Sequence, residues 1–371
     1  MICSTSFSWA RSLALLAVFA LLGGCAAVSA SGRAIAEVDR PRPKIAVFPV
    51  QNLSGGVAPL EEIRAALVGF LEADCGEVVG EKELQAVMAA ERVRNVGGIT
   101  GPLAMKMREA TGADSVLITS LELYNEQFPP KIALLARLVS LTDPPAILWM
   151  DSVGLAGDEA PGILGLGLIR QPDQLRDKAL RTLVGSLKAH LTGEKGSLEA
   201  ARKFQPKMAY GIVSLGAEKK YRIAVTPFFN FSDRKYAGEI MALHFVDALQ
   251  KFDNIEVIEP GIVLEEMLRF RIIMEDGFSK PAAGNLFVTL EPDFIFSGKV
   301  FDYLDYTGEW GVPVVDFSTE MIDGKNRQVV WTSKSYNAGS DGVFFFDWGR
   351  VTTARAMAAG MAQAISGLIA Q

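Results

Sequence analysis

Pro43-Lys-Ile-Ala-Val-Phe-Pro-Val-Gln-Asn-Leu53 and Tyr221-Arg-Ile-Ala-Val-Thr-Pro-Phe-Phe-Asn-Phe231 are two versions of one segment. Ile45, Pro49 and Asn52 correspond to Ile223, Pro227 and Asn230, and the match continues from Asp114 to Asp293, Asp143 to Asp323 and Trp149 to Trp331. The chain therefore reads as one αβ module written twice. Residues 44–50 and 221–227 are short, nearly continuous apolar runs with β-branched residues, as expected of a first strand covered on both faces. Leu60, Ile63, Leu67, Phe70 and Leu71 follow at helical spacing, with Gly238, Met241, Phe245, Ala248 and Leu249 at the repeat offset.

Both copies continue in the same order. Short strands are expected at 76–80 and 255–258, helices opening near Glu81 or Pro260, and second short helices over 102–111 and 281–290. Three strands close each module, 114–124, 131–141 and 146–153 in one and 293–304, 312–322 and 328–337 in the other, before closing helices at 173–191 and 347–369. The fold class is α/β (α+β): two tandem modules, each a mixed sheet with a βαβ start and an antiparallel meander, packed with helices. Domain boundaries fall at 1–24 for a lipoprotein signal peptide, 25–43 for a tether, 44–191 for the first module, 192–220 for a polar linker and 221–371 for the second module. Residues 197–204 of that linker have the pattern of a short helix.

The N-terminus speaks to location. Arg11 is the only charge before the apolar run Leu13–Leu22, which is too short and too abruptly ended for a spanning helix and reads as a secretory signal. It ends in Leu22-Gly23-Gly24-Cys25, which resembles the lipobox of bacterial lipoproteins, so Cys25 is the expected lipidation site and the membrane the first partner. Two or three acyl chains, at about 0.8 kcal/mol per buried methylene, make such an anchor effectively permanent. Ala26 in place of an acidic retention residue favours the outer membrane, periplasmic face. The roughly 18-residue tether reaches at most about 60 Å when extended.

Composition narrows the chemistry. The formal charge is −6, or −7 once Arg11 leaves with the signal, and no long basic run is present, which argues against nucleic-acid partners. Cys3 leaves with the signal and Cys25 is acylated, so Cys75 is the remaining thiol and no intramolecular disulfide is expected. Cys75 reads as a small, buried or half-buried residue. His190 and His244 have no counterparts in the other copy, and with one thiol they provide no metal cluster and no Cys-His nucleophile short of a meeting between modules. Both read as rim or cap histidines. Acidic pairs such as Glu61-Glu62 and Glu265-Glu266 read as solvated helix faces. Gly162, Gly165 and Gly167 lack the preceding strand and lysine of a phosphate loop. No cofactor and no catalytic residue is assigned, and the chain is expected not to be an enzyme.

The strand-Pro-x-x-Asn start, the Ala/Pro-Asp strand and the Asp-turn-Trp hairpin, over residues 44–153 and 221–339, resemble periplasmic αβ modules related to the TolB N-terminal domain. They are also similar to modules of the curli-secretion lipoprotein CsgG and of lipoprotein activators of penicillin-binding proteins. The resemblance implies an envelope binding or assembly module, with envelope proteins as partners. The sequence has no propeller repeats after the module, unlike TolB, and lacks CsgG's long alternating hairpins. The leading function is a protein-binding or assembly lipoprotein. The alternatives are a homo-oligomeric secretion ring or pore subunit and, third, a cell-wall enzyme.

The candidate ligand or partner loops follow the first strands. Asn52 and Ser54 in one copy, and Asn230, Ser232 and Asp233 in the other, set amide and hydroxyl groups ahead of a helix N-terminus, where an anion could bind. Capping and turn bracing is the competing reading. Two apolar segments, Gly162–Ile169 and Val343–Phe346 with Trp348, are candidates for lipid, partner or module–module contact.

Overall fold

The protein is described by a computed structural model covering residues 43–159, 167–194, 204–211, 215–272, 278–306, 311–341 and 350–370. The signal, Cys25, residues 25–42 of the tether, Gly162, Gly165 and the segment Val343–Trp348 lie outside the described residues. The first module runs β1 (Lys44–Val47), β2 (Gln51–Asn52), α1 (Leu60–Asp74), β3 (Glu77–Val78), α2 (Glu81–Ala90), α3 (Gly101–Thr111), β4 (Ser115–Asn125), β5 (Lys131–Ser140), β6 (Ile147–Ala156) and α4 (Pro172–Thr192). After β7 (Met208–Gly211) the order recurs as β8 (Tyr221–Val225), β9 (Phe229–Asn230), α5 (Ala237–Gln250), β10 (Ile255–Val257), α6 (Pro260–Arg269), α7 (Lys280–Thr289), β11 (Phe294–Leu304), β12 (Val314–Asp323), β13 (Val329–Ala338) and α8 (Ala354–Ile369).

Sheet 1 has the order β3-β1-β4-β5-β6 and sheet 2 the order β10-β8-β11-β12-β13-β7, with β2 and β9 pairing to β4 and β11. The first strands pair in parallel and the last three antiparallel, so the expected mixed sheets are present in both copies. The registers carry the repeat down to single residues and correct one of the expected matches: Ser140, opposite Ser115, and not Asp143 holds the place of Asp323, opposite Phe294, because the loop after β5 has a different length from that after β12. Asp114 and Asp293 each accept a hydrogen bond from the backbone of the first strand, at Lys44 (3.3 Å) and Arg222 (3.0 Å). Trp149 and Trp331 sit opposite Leu138 and Met321, each beside a bulge.

Three boundaries differ from expectation, each for a physical reason. The first strand ends at Val47 and Val225 because Pro49 and Pro227 have no N–H for the ladder, and pairing resumes only at β2 and β9. The last helix starts at 354 rather than 347. Thr353 caps it by accepting from the Ala356 N–H at 3.2 Å, and Asp305 accepts from the Ala354 N–H at 2.7 Å. The expected linker 192–220 is in part woven into the second module. β7 adds an edge strand to β13, Leu215 is buried and donates its N–H to Ile369, and Phe204 packs beneath Gly360.

Side-chain alternation gives each sheet two faces. One face of sheet 1, with Leu117, Leu134 and Leu138, packs on α1 and α4. Part of the other, with Ala46, Val116 and Ile118, packs on α2 and α3. In sheet 2, Val225, Phe296 and Phe317 face α5 and α8, while Ala224 and Ile295 face α6 and α7. The remaining half of sheet 1's second face is covered by the second module: Leu53, Leu135, Ile147 and Met150 join the core that holds α5 and α8. The helix pair is thus sandwiched between the two sheets. Fully burying a side chain such as Leu135 contributes about 1.5–3 kcal/mol, so this layer does much of the joining.

Candidate site: the half-face that joins the modules

Among the described residues, most of the buried charged side chains lie at the surface between the modules. Arg137 on β5 and Glu259, which precedes α6, have fully buried side chains and form a two-point ion pair, Nε–Oε2 3.1 Å and Nη2–Oε1 2.9 Å. Arg137 also donates to the Gly97 carbonyl, and Glu259 accepts from the Gly261 N–H at 3.3 Å. The backbones touch beside this pair: a Cβ on Gly98 would run into Gly261, and one on Gly261 into Gly98 and Ile99.

A second cluster lies further along the same face. Glu122 on β4 meets His244 on α5 at 3.4 Å, both buried, and Tyr303 Oη lies 3.5 Å from His244 Nε2. Arg234 donates to the Glu122 carbonyl, and Arg355 on α8 to Ser152. At the edge, Lys131 donates to the Tyr306 carbonyl at 2.9 Å with its ammonium over the Tyr306 ring. His244, expected on the rim of its helix, is therefore a buried interface residue, because α5 is covered on both sides. His190 is exposed near the end of α4, as expected.

Burial pushes the Glu122 carboxyl up, but His244, Arg355 and Arg234 outweigh it and hold it below the usual carboxylate range. A carboxyl lowered in the folded state stabilises the fold above its unfolded pKa, and that contribution is lost as pH falls through its folded value. Glu122→Gln should therefore lower the urea midpoint at pH 7, and the deficit should shrink as pH drops below ~4, where unfolded carboxylates protonate. A deficit independent of pH would mean that Glu122 acts through packing alone. Asp247 and Asp305 are raised, both chiefly by burial, so their carboxylates weigh against the fold increasingly as pH rises.

The residues of the sequence-predicted loops bond to one another within two matching turns. Asn52 Oδ1 accepts from the Ser54 N–H at 3.0 Å and from its hydroxyl at 2.7 Å, while the Asn52 amide donates to Gly56 at 2.8 Å. Asn230 makes the same contacts with Ser232 (3.0 and 2.6 Å) and Arg234 (2.7 Å). These bonds brace the turn and do not cap the following helices, whose N-caps are Pro59 and Tyr236 without side-chain bonds. Asp233 is exposed and, with Phe231, Ser232, Arg234, Phe301 and Asp305, lines an open concavity of about 500 Å³. Cys75 is half-buried and its thiol is pushed up to about 11, first by burial and then by Asp74. Among the described residues, no group of three or more His, Cys, Asp or Glu side chains could hold a metal ion, and no helix is long and apolar enough to cross a membrane.

Solved structures match parts of this chain. No family model matches the sequence. A search of curated proteins also returns no match. The PelC dodecamer from Paraburkholderia phytofirmans matches at 20% identity and a TM-score of 0.31, covering 44% of this chain and 98% of that one. Lipoprotein GNA1162 from Neisseria meningitidis matches at 18% identity and 0.29, covering 42% and 99%. The LpoB C-terminal domain from Salmonella enterica matches at 18% identity and 0.27, covering 32% and 86%. Each covers less than half of this chain, and at these scores the likeness carries no functional argument.

The informative comparison is internal. Matching the registers aligns Leu53, Glu122, Leu135, Arg137, Met150 and Ser152 with Phe231, Phe301, Ser318, Glu320, Thr332 and Lys334. In the first copy these residues are buried beneath the second module; in the second copy they face outward. Leu53 is 2% exposed against 51% for Phe231, and Glu122 is 1% exposed against 39% for Phe301. Sequence reading missed this surface, although α5 carried a signal. From Ala237 to Leu249 nearly every residue is buried, and a helix apolar on all sides is one covered on both.

Proposed function

We propose that this chain is a non-enzymatic, lipid-anchored protein of the bacterial envelope, a rigid two-module scaffold that presents a protein-binding face. One observation supports the binding part: the outward half-face of the first module already serves as a protein-binding surface, occupied by the helix pair of the second. The second module repeats that half-face, and among the described residues Phe231, Phe301, Leu304 and Tyr336 upon it are exposed. The anchor rests on Leu22-Gly23-Gly24-Cys25, and the Ala26 that follows supports sorting to the periplasmic face of the outer membrane.

The anchor is tested by fractionating cells that express Cys25→Ala. The variant should move from the membrane to a soluble or unprocessed pool and lose palmitate labelling, whereas Phe301→Glu should stay membrane-bound. Unchanged membrane retention of Cys25→Ala would reject the anchor. The non-enzymatic reading fails if the purified chain turns over cell-wall material and neutralising a single carboxylate abolishes that turnover.

A further inference from the structure

The outward half-face of sheet 2 carries a cluster of large apolar side chains among its charged ones. Phe231, Phe301, Leu304 and Tyr336 are exposed upon it, with Met208 and Tyr210 on its edge strand β7. Phe231 and Phe301 stack with centroids 5.7 Å apart, and Lys334 lies over the Phe301 ring at 5.5 Å. Aromatic and Met side chains are the types enriched where proteins meet.

We propose that this half-face is a homodimer interface, occupied by the same half-face of a second copy across a two-fold axis. The proposal deepens the scaffold reading by naming the occupant. Two features favour a second copy. The charges among the aromatics are of both signs, Lys299 and Lys334 beside Asp302, Asp316 and Glu320, so a second copy turned about a two-fold axis can set lysines against carboxylates. The internal mode of binding cannot simply continue from copy to copy. The helix pair that would have to dock, α1 and α4, turns Glu61, Glu62, Glu72, Asp177, Lys178 and Arg181 to solvent, where α5 and α8 present buried apolar residues. An endless head-to-tail stack is thereby disfavoured, and a closed face-to-face pair remains.

The test is the mass of the full-length mature protein in detergent, measured by light scattering over a hundredfold range of concentration with the detergent contribution subtracted. The wild type should have twice the chain mass and dissociate on dilution. Phe301→Glu with Tyr336→Glu should raise the dissociation constant at least tenfold, and its melting temperature should match that of the wild type diluted to monomer, since both side chains are partly exposed and the dimer itself adds stability. Val57→Glu, at a fully exposed position of the first module, should leave the dimer intact. A wild-type monomer at every concentration, or a dimer that the double variant leaves intact, overturns the proposal; neither result touches the anchor, which the Cys25→Ala fractionation tests separately.

Discussion

Glu259→Ala is expected to destabilise the whole chain by about 3–5 kcal/mol, because it leaves the fully buried guanidinium of Arg137 without its partner. Arg137→Ala should cost a similar amount and additionally orphan the Gly97 carbonyl. The double change Arg137→Met with Glu259→Leu should recover part of the loss, since it removes the unpaired charge but still leaves the Gly97 carbonyl and the Gly261 N–H without these partners. Urea midpoints of the three variants decide the matter. If the single variants were indistinguishable from the wild type, the modules would not be closed over this pair in solution.

Gly261→Ala should also destabilise, by roughly 1–3 kcal/mol, because its Cβ would meet the backbone of Gly98 and Ile99 across the interface and neither can yield cheaply. The sign is informative. Gly261 lies in the first turn of α6, where alanine in isolation is the better helix former by up to ~1 kcal/mol. Gly284 in α7 provides the control: a Cβ there would meet nothing within 4 Å, so Gly284→Ala should stabilise by a few tenths to about 1 kcal/mol. A stabilising Gly261→Ala would show that the backbones do not touch.

The architecture was legible in the sequence because both copies state it. Alternation and helical spacing placed the main strands and helices of both modules in order, but not the two-residue strands β2 and β9, and the repeat supported most of the pairings. Errors arose where local pattern and local chemistry disagree, as at Pro49 and Pro227, whose apolar neighbours continue the strand pattern after the ladder has lost its donor. The joining surface was not legible. Arg137 and Glu259 lie 122 residues apart, and nothing local to either marks the other as its partner. His244 reads as a rim residue only while a single apolar stripe defines the buried side of α5; its remaining faces are apolar or paired as well. The loop residues Asn52, Ser54, Asn230 and Ser232 stand out by repetition, yet repetition marks what both copies need to fold. What the second copy does differently lies at Phe231 and Phe301, where the copies diverge.

The repeated modules are expected to unfold as one cooperative body joined through this half-face. Native-state hydrogen exchange across a urea series, read by mass spectrometry, tests it most directly through peptides from β5 and β12. The two should lose protection at the same urea concentration, and both midpoints should fall together in Glu259→Ala. Separate midpoints in the wild type, with one sheet protected while the other has opened, would contradict it.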